Sequence, residues 1–300
     1  MTRTRFAADR GLTGRMVLTL FLIGLLYVAF VAVLIALGAR ALTVLALALV
    51  LLVVQYFLSD KIALYAMNGR EVTPQQAPEL HGAIDRLCAM ADMPKPKVAI
   101  ADSDVPNAFA TGHSQKKSVV CVTTGLLRRL EPDELEGVLA HEMSHVAHRD
   151  VVVMTIASFL GIVAGLMTRF ALYSGLARGR DSRGGPPIGL IIMLVSGLVY
   201  ALSFVLTRAL SRYRELAADR AAALLTQRPS ALAGALTKVS GEMGRIPTRD
   251  LRRAEPFNAF FFAPALSSGA SLAALLSTHP PLERRLRQLA EISAQLGRGA

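Results

Sequence analysis

A chain of 300 residues, 53% of them apolar and with a mean hydropathy of +0.44, is too apolar for an ordinary soluble domain. It is too polar for an all-membrane bundle, so it calls for membrane segments plus a water-exposed part large enough to bury a small core. The formal net charge of +11 is mostly arginine, but no tryptophan and no basic-aromatic interleaving accompany it, which sets nucleic acid aside in favour of anionic lipid headgroups as the partner.

Met16 to Leu37 carries no charge, and after Gly38, Ala39 and Arg40 the run Ala41 to Leu58 adds a second uncharged stretch. An apolar helix needs about 20 residues to cross the hydrocarbon, so this reads as a helical hairpin with a short turn. The basic start "MTRTRFAADRGLTGR" resembles a signal-peptide n-region. The apolar stretch is too long for a cleaved signal and a second span follows, so it is read as an uncleaved anchor.

A first polar block runs from Lys61 to Asp150. "TPQQAPELHGAIDRLCAMADMP" places Leu80, Ile84, Leu87 and Met90/Ala91 at helical spacing and stops at Pro94. "PKVAIAD" and "KKSVVCVTT" read as short strands, with "SDVPNAFATGHSQ" between them as a loop or irregular edge. "LEPDELEGVLAHEMSHVAHRD" is a helix: Pro132 suits its first turn, and Asp133, Glu134 and Glu136 complement its dipole. Cys88 and Cys121 lie far apart without a C-x-x-C pattern and read as small buried hydrophobes in a reducing compartment.

Two further apolar runs, Val151 to about Tyr173 and Ile188 to Leu206, are joined by "SGLARGRDSRGGPP". Arg169 limits the clean part of the first to Val151–Met167, near the minimum for a span, and snorkels to the headgroups. The second polar block, Thr207 to Ala300, holds a helix around Arg212–Leu225 and another around Ala231–Met243. An irregular stretch with "EPFNAFFFAPAL" follows, and a last amphipathic helix starts near Pro280. Phe260 to Phe262 read as core packing, with substrate or membrane contact as the other option. Basic residues near the span ends number ten on the side of the polar blocks and five on the other, which places those blocks in the cytoplasm and favours four spans.

"LAHEMSHVAHRD" packs three of the six histidines into eight positions. Successive helical residues turn by about 100° and rise about 1.5 Å, so His141 and His145 share one face a turn apart. His148 falls near that face but roughly 10 Å along the axis from His141, so at most two of the three bind one tetrahedral ion. Only the pair His141 and His145 gives Glu142 a task. In H-E-x-x-H both imidazoles hold zinc and the glutamate sits beside the metal-bound water. The extended pattern H-E-x-x-H-x-x-G-x-x-H fails, with His148 at its glycine and Val151 at its last histidine. For a third ligand there remain His81, His113, His279, and the acids of "LSRYRELAADRAAAL", where Glu215 and Asp219 stand four apart. A carboxylate completes a His2Glu site, and an acid one turn away holds a ligand histidine, but E-x-x-x-D is also common on exposed helices. A di-iron site needs a second E-x-x-H, and no other histidine has a glutamate three before it. A non-catalytic zinc-binding membrane scaffold is the alternative; Glu142 argues against it.

"PNAFATG", "VLAHEMSHVAHRD", "SRYRELAADRAA" and "STHPPLERRL" occur in this order. Together they resemble an HtpX-type membrane zinc metallopeptidase, a relative of the type I CAAX prenyl proteases, over nearly the whole chain. The resemblance implies one zinc per chain on His141, His145 and Glu215, with Glu142 as catalytic acid/base and Asp219 behind a ligand histidine. Asn107, Ala108, Phe109, Ala110, Thr111 and Gly112 match the segment that pairs with extended substrate. His279 and Arg285 match positions that stabilise the oxyanion or orient Glu215, although His279 also reads as a cap on the final helix ahead of Pro280. Leu216 departs from the pattern, which often has an aromatic there; this touches local packing and not ligation.

The expected fold is mainly α with a small β-sheet. It is an integral membrane protein with two helical hairpins and a cytoplasmic zincin-like catalytic domain formed from two sequence blocks. The divisions are 1–58 (first hairpin), 59–150 (H-E-x-x-H block), 151–207 (second hairpin) and 208–300 (third-ligand block). The expected activity is zinc-dependent endopeptidase cleavage, by Glu-assisted attack of zinc-bound water, of misfolded or damaged membrane and cytoplasmic proteins. The expected location is the inner (cytoplasmic) membrane, multi-pass.

Overall fold

The computed structural model describes residues 10–37, 68–112, 114–173, 188–243 and 278–298, with positions 46, 49, 50 and 53. Most of the second half of the first hairpin, His113, the linker between the later apolar runs and Phe260–Phe262 lie outside the described residues. In chain order the elements are α1 (Arg10–Ala36), β1 (Gly69–Glu71), α2 (Pro78–Ala91), β2 (Lys97–Ala101), β3 (Ala108–Thr111) and β4 (Val119–Thr123). There follow α3 (Thr124–Leu127), α4 (Pro132–Ala147), α5 (Asp150–Tyr173), α6 (Ile188–Thr226), α7 (Pro229–Met243) and α8 (Leu282–Arg298). The chain divides into two units.

One unit is Met1–Thr13, Leu58–Val151 and Ser211–Ala300. Its sheet has the order β1-β2-β4-β3, with β2 and β4 parallel and the outer pairs antiparallel. Side chains alternate across the pleat. Val98, Val120, Val122 and Ala108 enter the main core on one face, while Ala99, Ala101, Phe109 and Cys121 form a smaller cluster on the other. The main core takes Ile84 and Leu87 from α2, Leu139 and Met143 from α4, Leu232 and Leu236 from α7 and Leu289 from α8. Burying each such side chain contributes about 1.5–3 kcal/mol.

Helix α4 begins with a capping box, in which Glu131 and Glu134 each bond the other's backbone N–H, and Pro132 fills the first turn. Gly137 lets α7 approach closely: a Cβ there would sit 3.2 Å from the Leu232 nitrogen. Strand β3 replaces the expected loop or irregular edge. Its strand character comes from β4, where Ala110 faces Val120 and Phe109 faces Cys121. Gly112 ends it at φ +132, where a Cβ would lie 2.5 Å from Ser118 Cα.

The other unit is Gly14–Phe57 and Val152–Leu210. Phe30 and Leu34 of α1 pack with Leu160 and Ala164 of α5 and Val199 of α6. Tyr27 donates to the Ile156 carbonyl at 2.9 Å and Thr207 to the Ala157 carbonyl at 3.2 Å, so hydroxyls from two helices tie onto α5. Val17, Phe21, Val28, Phe170, Leu194 and Leu198 are exposed, as suits helices solvated by lipid. Three described helices are long and apolar enough to cross a membrane: Thr13–Ala36, Asp150–Tyr173 and Ile188–Thr226. The last joins two expected elements, the apolar run ending at Leu206 and the helix starting near Arg212. No glycine or proline lies between Leu198 and Thr226 to break it.

Candidate metal centre

Every residue of α4 from Gly137 to Ser144 is buried, so His141 and Glu142 face the interior. His141 Nε2 and His145 Nε2 lie 3.2 Å apart with their ring planes at 86°. Glu215, from α6, brings Oε2 to 3.6 Å from His141 Nε2 and Oε1 to 3.4 Å from His145 Nε2. Among the described residues these three offer ligand atoms all within 4.8 Å of one another. A tetrahedral ion bonded at about 2.0–2.2 Å needs donor separations of roughly 3.3–3.6 Å; the two imidazole nitrogens come close to that spacing, and Glu215 turns one oxygen toward each of them.

The reverse side of each imidazole is held by a carboxylate. His141 Nδ1 lies 2.9 Å from Asp219 Oδ1, and His145 Nδ1 lies 2.6 Å from Asp150 Oδ2. An N–H given to a carboxylate at Nδ1 leaves Nε2 as a lone-pair donor, the form a metal requires. Asp219 in turn accepts two bonds of 2.7 Å from the buried Arg285 guanidinium. Asp150 pairs with the buried Arg214. Glu215 Oε2 accepts from His279 Nδ1 at 2.9 Å, with Arg285 Nη1 at 3.8 Å.

Burial alone would push the Glu215 carboxyl up, but His279, His141 and His145 overcome it and hold the group well below the usual carboxylate range. Asp219 is likewise held down against burial by Arg285 and His141. Glu142 moves the other way. Burial pushes it up, and the neighbouring imidazoles and the Ala110 N–H offset this only in part.

Glu142 Oε2 accepts the Ala110 N–H of β3 at 3.0 Å. Asn107 pairs with Thr123, its N–H on Thr123 Oγ1 at 2.8 Å and its carbonyl taking the Thr123 N–H at 2.9 Å. Alternation along the antiparallel pair then turns the Ala108 and Ala110 backbone groups away from β4. The expected substrate segment Asn107–Gly112 thus contains β3, one of the two outer strands of the sheet, next to Glu142.

The residues singled out in the sequence divide clearly. His141, His145 and Glu215 converge, Asp219 and Arg285 back His141, and His279 backs Glu215. His279 lies three residues ahead of α8, which starts at Leu282, and its ring donates to Glu215. His148 donates to the Ser144 carbonyl at 2.8 Å and closes its own helix. His81 donates to the Val72 carbonyl at 3.0 Å. Leu216 is buried, and its carbonyl accepts from Gln288 at 3.0 Å. Sequence reasoning missed Asp150 and Arg214. On a straight helix Asp150 would lie about 140° around from His145. The chain instead breaks between α4 and α5, where Arg149 takes φ 57, and this left-handed residue returns Asp150 to His145.

The model of the peptidase family M48 matches residues 74–293. The chain is 61% identical over 295 residues to "Protease HtpX homolog 1" of Streptomyces coelicolor, covering 98% of this chain and 97% of that protein. It is 49% identical over 298 residues to "Protease HtpX homolog" of Moorella thermoacetica, covering 98% of each. Among solved structures, that of S. mikatae Ste24p is similar in fold, with a TM-score of 0.56 at 21% identity. That likeness covers 89% of this chain and 62% of the other.

Proposed function

The chain belongs to peptidase family M48, and on that premise we propose that it is a membrane-bound zinc endopeptidase in which His141, His145 and Glu215 hold one zinc ion. The observation that carries the reading is the convergence of three ligand atoms within 4.8 Å of one another, with Glu142 beside them and β3 beyond. Zinc bound there supplies Lewis acidity, acidifying water and polarising a carbonyl. The chain's own residues do the rest. An extended peptide adds to the outer edge of β3, where backbone recognition gives broad sequence tolerance. Glu142 takes a proton from the attacking water on its carboxylate and delivers it to the departing amine. His279 and Arg285 keep Glu215 and Asp219 ionised and in place.

The substrates proposed are misfolded or damaged membrane and cytoplasmic proteins, with the catalytic part in the cytoplasm at the inner membrane. Two facts support membrane-associated substrates. Asp150 directly precedes one apolar run, and Glu215 follows the other after eight residues. The excess of basic residues flanking the spans supports the cytoplasmic side.

The deciding experiment compares wild type with Glu142→Gln in purified, zinc-loaded form on casein and on a membrane substrate. Loss of cleavage with one zinc per chain retained is the expected result. Equal cleavage by both forms would sink the mechanism. Zinc binding by both with cleavage by neither would favour the scaffold. Proteins co-purifying with Glu142→Gln would identify the substrates.

A further inference from the structure

Asp150 divides its two oxygens between partners: Oδ2 meets His145 Nδ1 at 2.6 Å, and Oδ1 pairs with the Arg214 guanidinium. Both members of the ion pair are buried. Arg214 stands next to Glu215 on α6, and Asp150 opens α5 immediately after the left-handed Arg149. A carboxylate with one partner rotates about its Cβ–Cγ bond; one gripped at both oxygens presents a fixed plane. We infer that Arg214 is a positioning residue for His145, acting through Asp150: it fixes the carboxylate that sets the tautomer and tilt of the imidazole. The inference rests on His145 being a metal ligand. It makes α6 support the site twice, once through Glu215 and once through the residue before it. The sequence hid this, because Arg214 reads there as one more basic residue flanking an apolar run.

The test is zinc affinity, measured by chelator competition on full-length protein in detergent, together with the visible spectrum of the cobalt-substituted form. Asp150→Asn and Arg214→Met are each expected to weaken zinc by about ten- to a hundredfold and to shift the cobalt bands. Arg214→Lys keeps the charge and is expected to recover most of the affinity. Because Arg214 acts through Asp150, the double variant Arg214→Met/Asp150→Asn binds no more weakly than Asp150→Asn alone. Lys238→Met, which breaks the exposed pair with Glu134, leaves both readouts unchanged. Should Arg214→Met not fold, Arg214→Lys and Asp150→Asn still decide: a wild-type cobalt spectrum in Asp150→Asn overturns the inference. So does an Arg214→Met affinity within about twofold of wild type, or single effects that multiply in the double variant. His145→Ala separates the two readings. If it keeps zinc at wild-type affinity the ligand assignment fails; if it loses zinc while Arg214→Met does not, only the role of Arg214 fails.

Discussion

Arg285→Met tests how the second polar block is locked to α4, the helix that carries His141. The guanidinium is 2% exposed and makes two 2.7 Å bonds to Asp219, which is fully buried. Methionine fills much of the same volume but leaves Asp219 charged, buried and without its main partner. Breaking a buried ion pair in this way costs about 3–5 kcal/mol. His141 Nδ1, 2.9 Å from the other side of Asp219, keeps part of the compensation, so the expected loss is near the lower end, about 3 kcal/mol. For a unit of this size each kcal/mol lowers Tm by about 2–4 °C, giving a drop of roughly 6–12 °C. The assay is thermal unfolding in detergent by far-UV circular dichroism, at one heating rate and with chelator present. Adding Asp219→Asn to Arg285→Met removes the stranded charge, so the double variant is expected to melt above Arg285→Met alone. An Arg285→Met protein melting within about 2 °C of wild type would refute the reasoning. A double variant showing the full sum of the two losses would do the same.

Gly112→Ala forces a Cβ against Ser118 at positive φ and is expected to cost more than 1 kcal/mol and to slow peptide cleavage several-fold with zinc content unchanged, as read by metal analysis beside a peptide assay. Arg149→Gly relieves a left-handed residue and should match or exceed wild-type Tm, whereas Arg149→Val should melt lower and bind zinc more weakly. Cys121 is fully buried and its thiol is pushed up to about 12 by burial, so iodoacetamide should leave it unlabelled until the protein is unfolded. The same shift sets a pH dependence. The folded chain keeps a proton that the unfolded chain gives up near pH 9.0, so this contribution to stability is intact below that pH and is lost as pH rises toward 12. Cys121→Ala should flatten that alkaline slope in denaturant titrations.

The parts legible in the sequence were those whose signal is local. Pro132, the acids behind it and the apolar positions of α4 announce that helix without reference to anything else. H-E-x-x-H likewise carries its geometry in its own spacing. Strand β3 was not legible from periodicity, because four of the five residues between Pro106 and Gly112 have no period to read and become a strand only through Val119–Thr123. The length of α6 was missed for a related reason: hydropathy changes near Thr207, but hydropathy does not end a helix, and no breaker is present. Asp150 was hidden by the turn at Arg149, since helical spacing carried past a left-handed residue points to the wrong side.

What surrounds the proposed ligands follows one rule of sign. Behind each imidazole stands a carboxylate, Asp219 for His141 and Asp150 for His145, and behind each of these a guanidinium, Arg285 or Arg214. Behind the ligand carboxylate Glu215 stands an imidazole, His279. An acid placed behind a ligand histidine orients it only while ionised, and in a buried site a cation is what keeps it so. Glu142 breaks the rule. It is as deeply set as the others, yet its hydrogen-bond partner is the neutral Ala110 amide. Burial pushes Glu142 up where Glu215 and Asp219 are held down. Carboxylates whose environments drive them in opposite directions are suited to opposite tasks. The two held down are suited to bind or orient at constant charge. The one pushed up is suited to gain and release a proton, and it is the one that faces the strand where a peptide would lie.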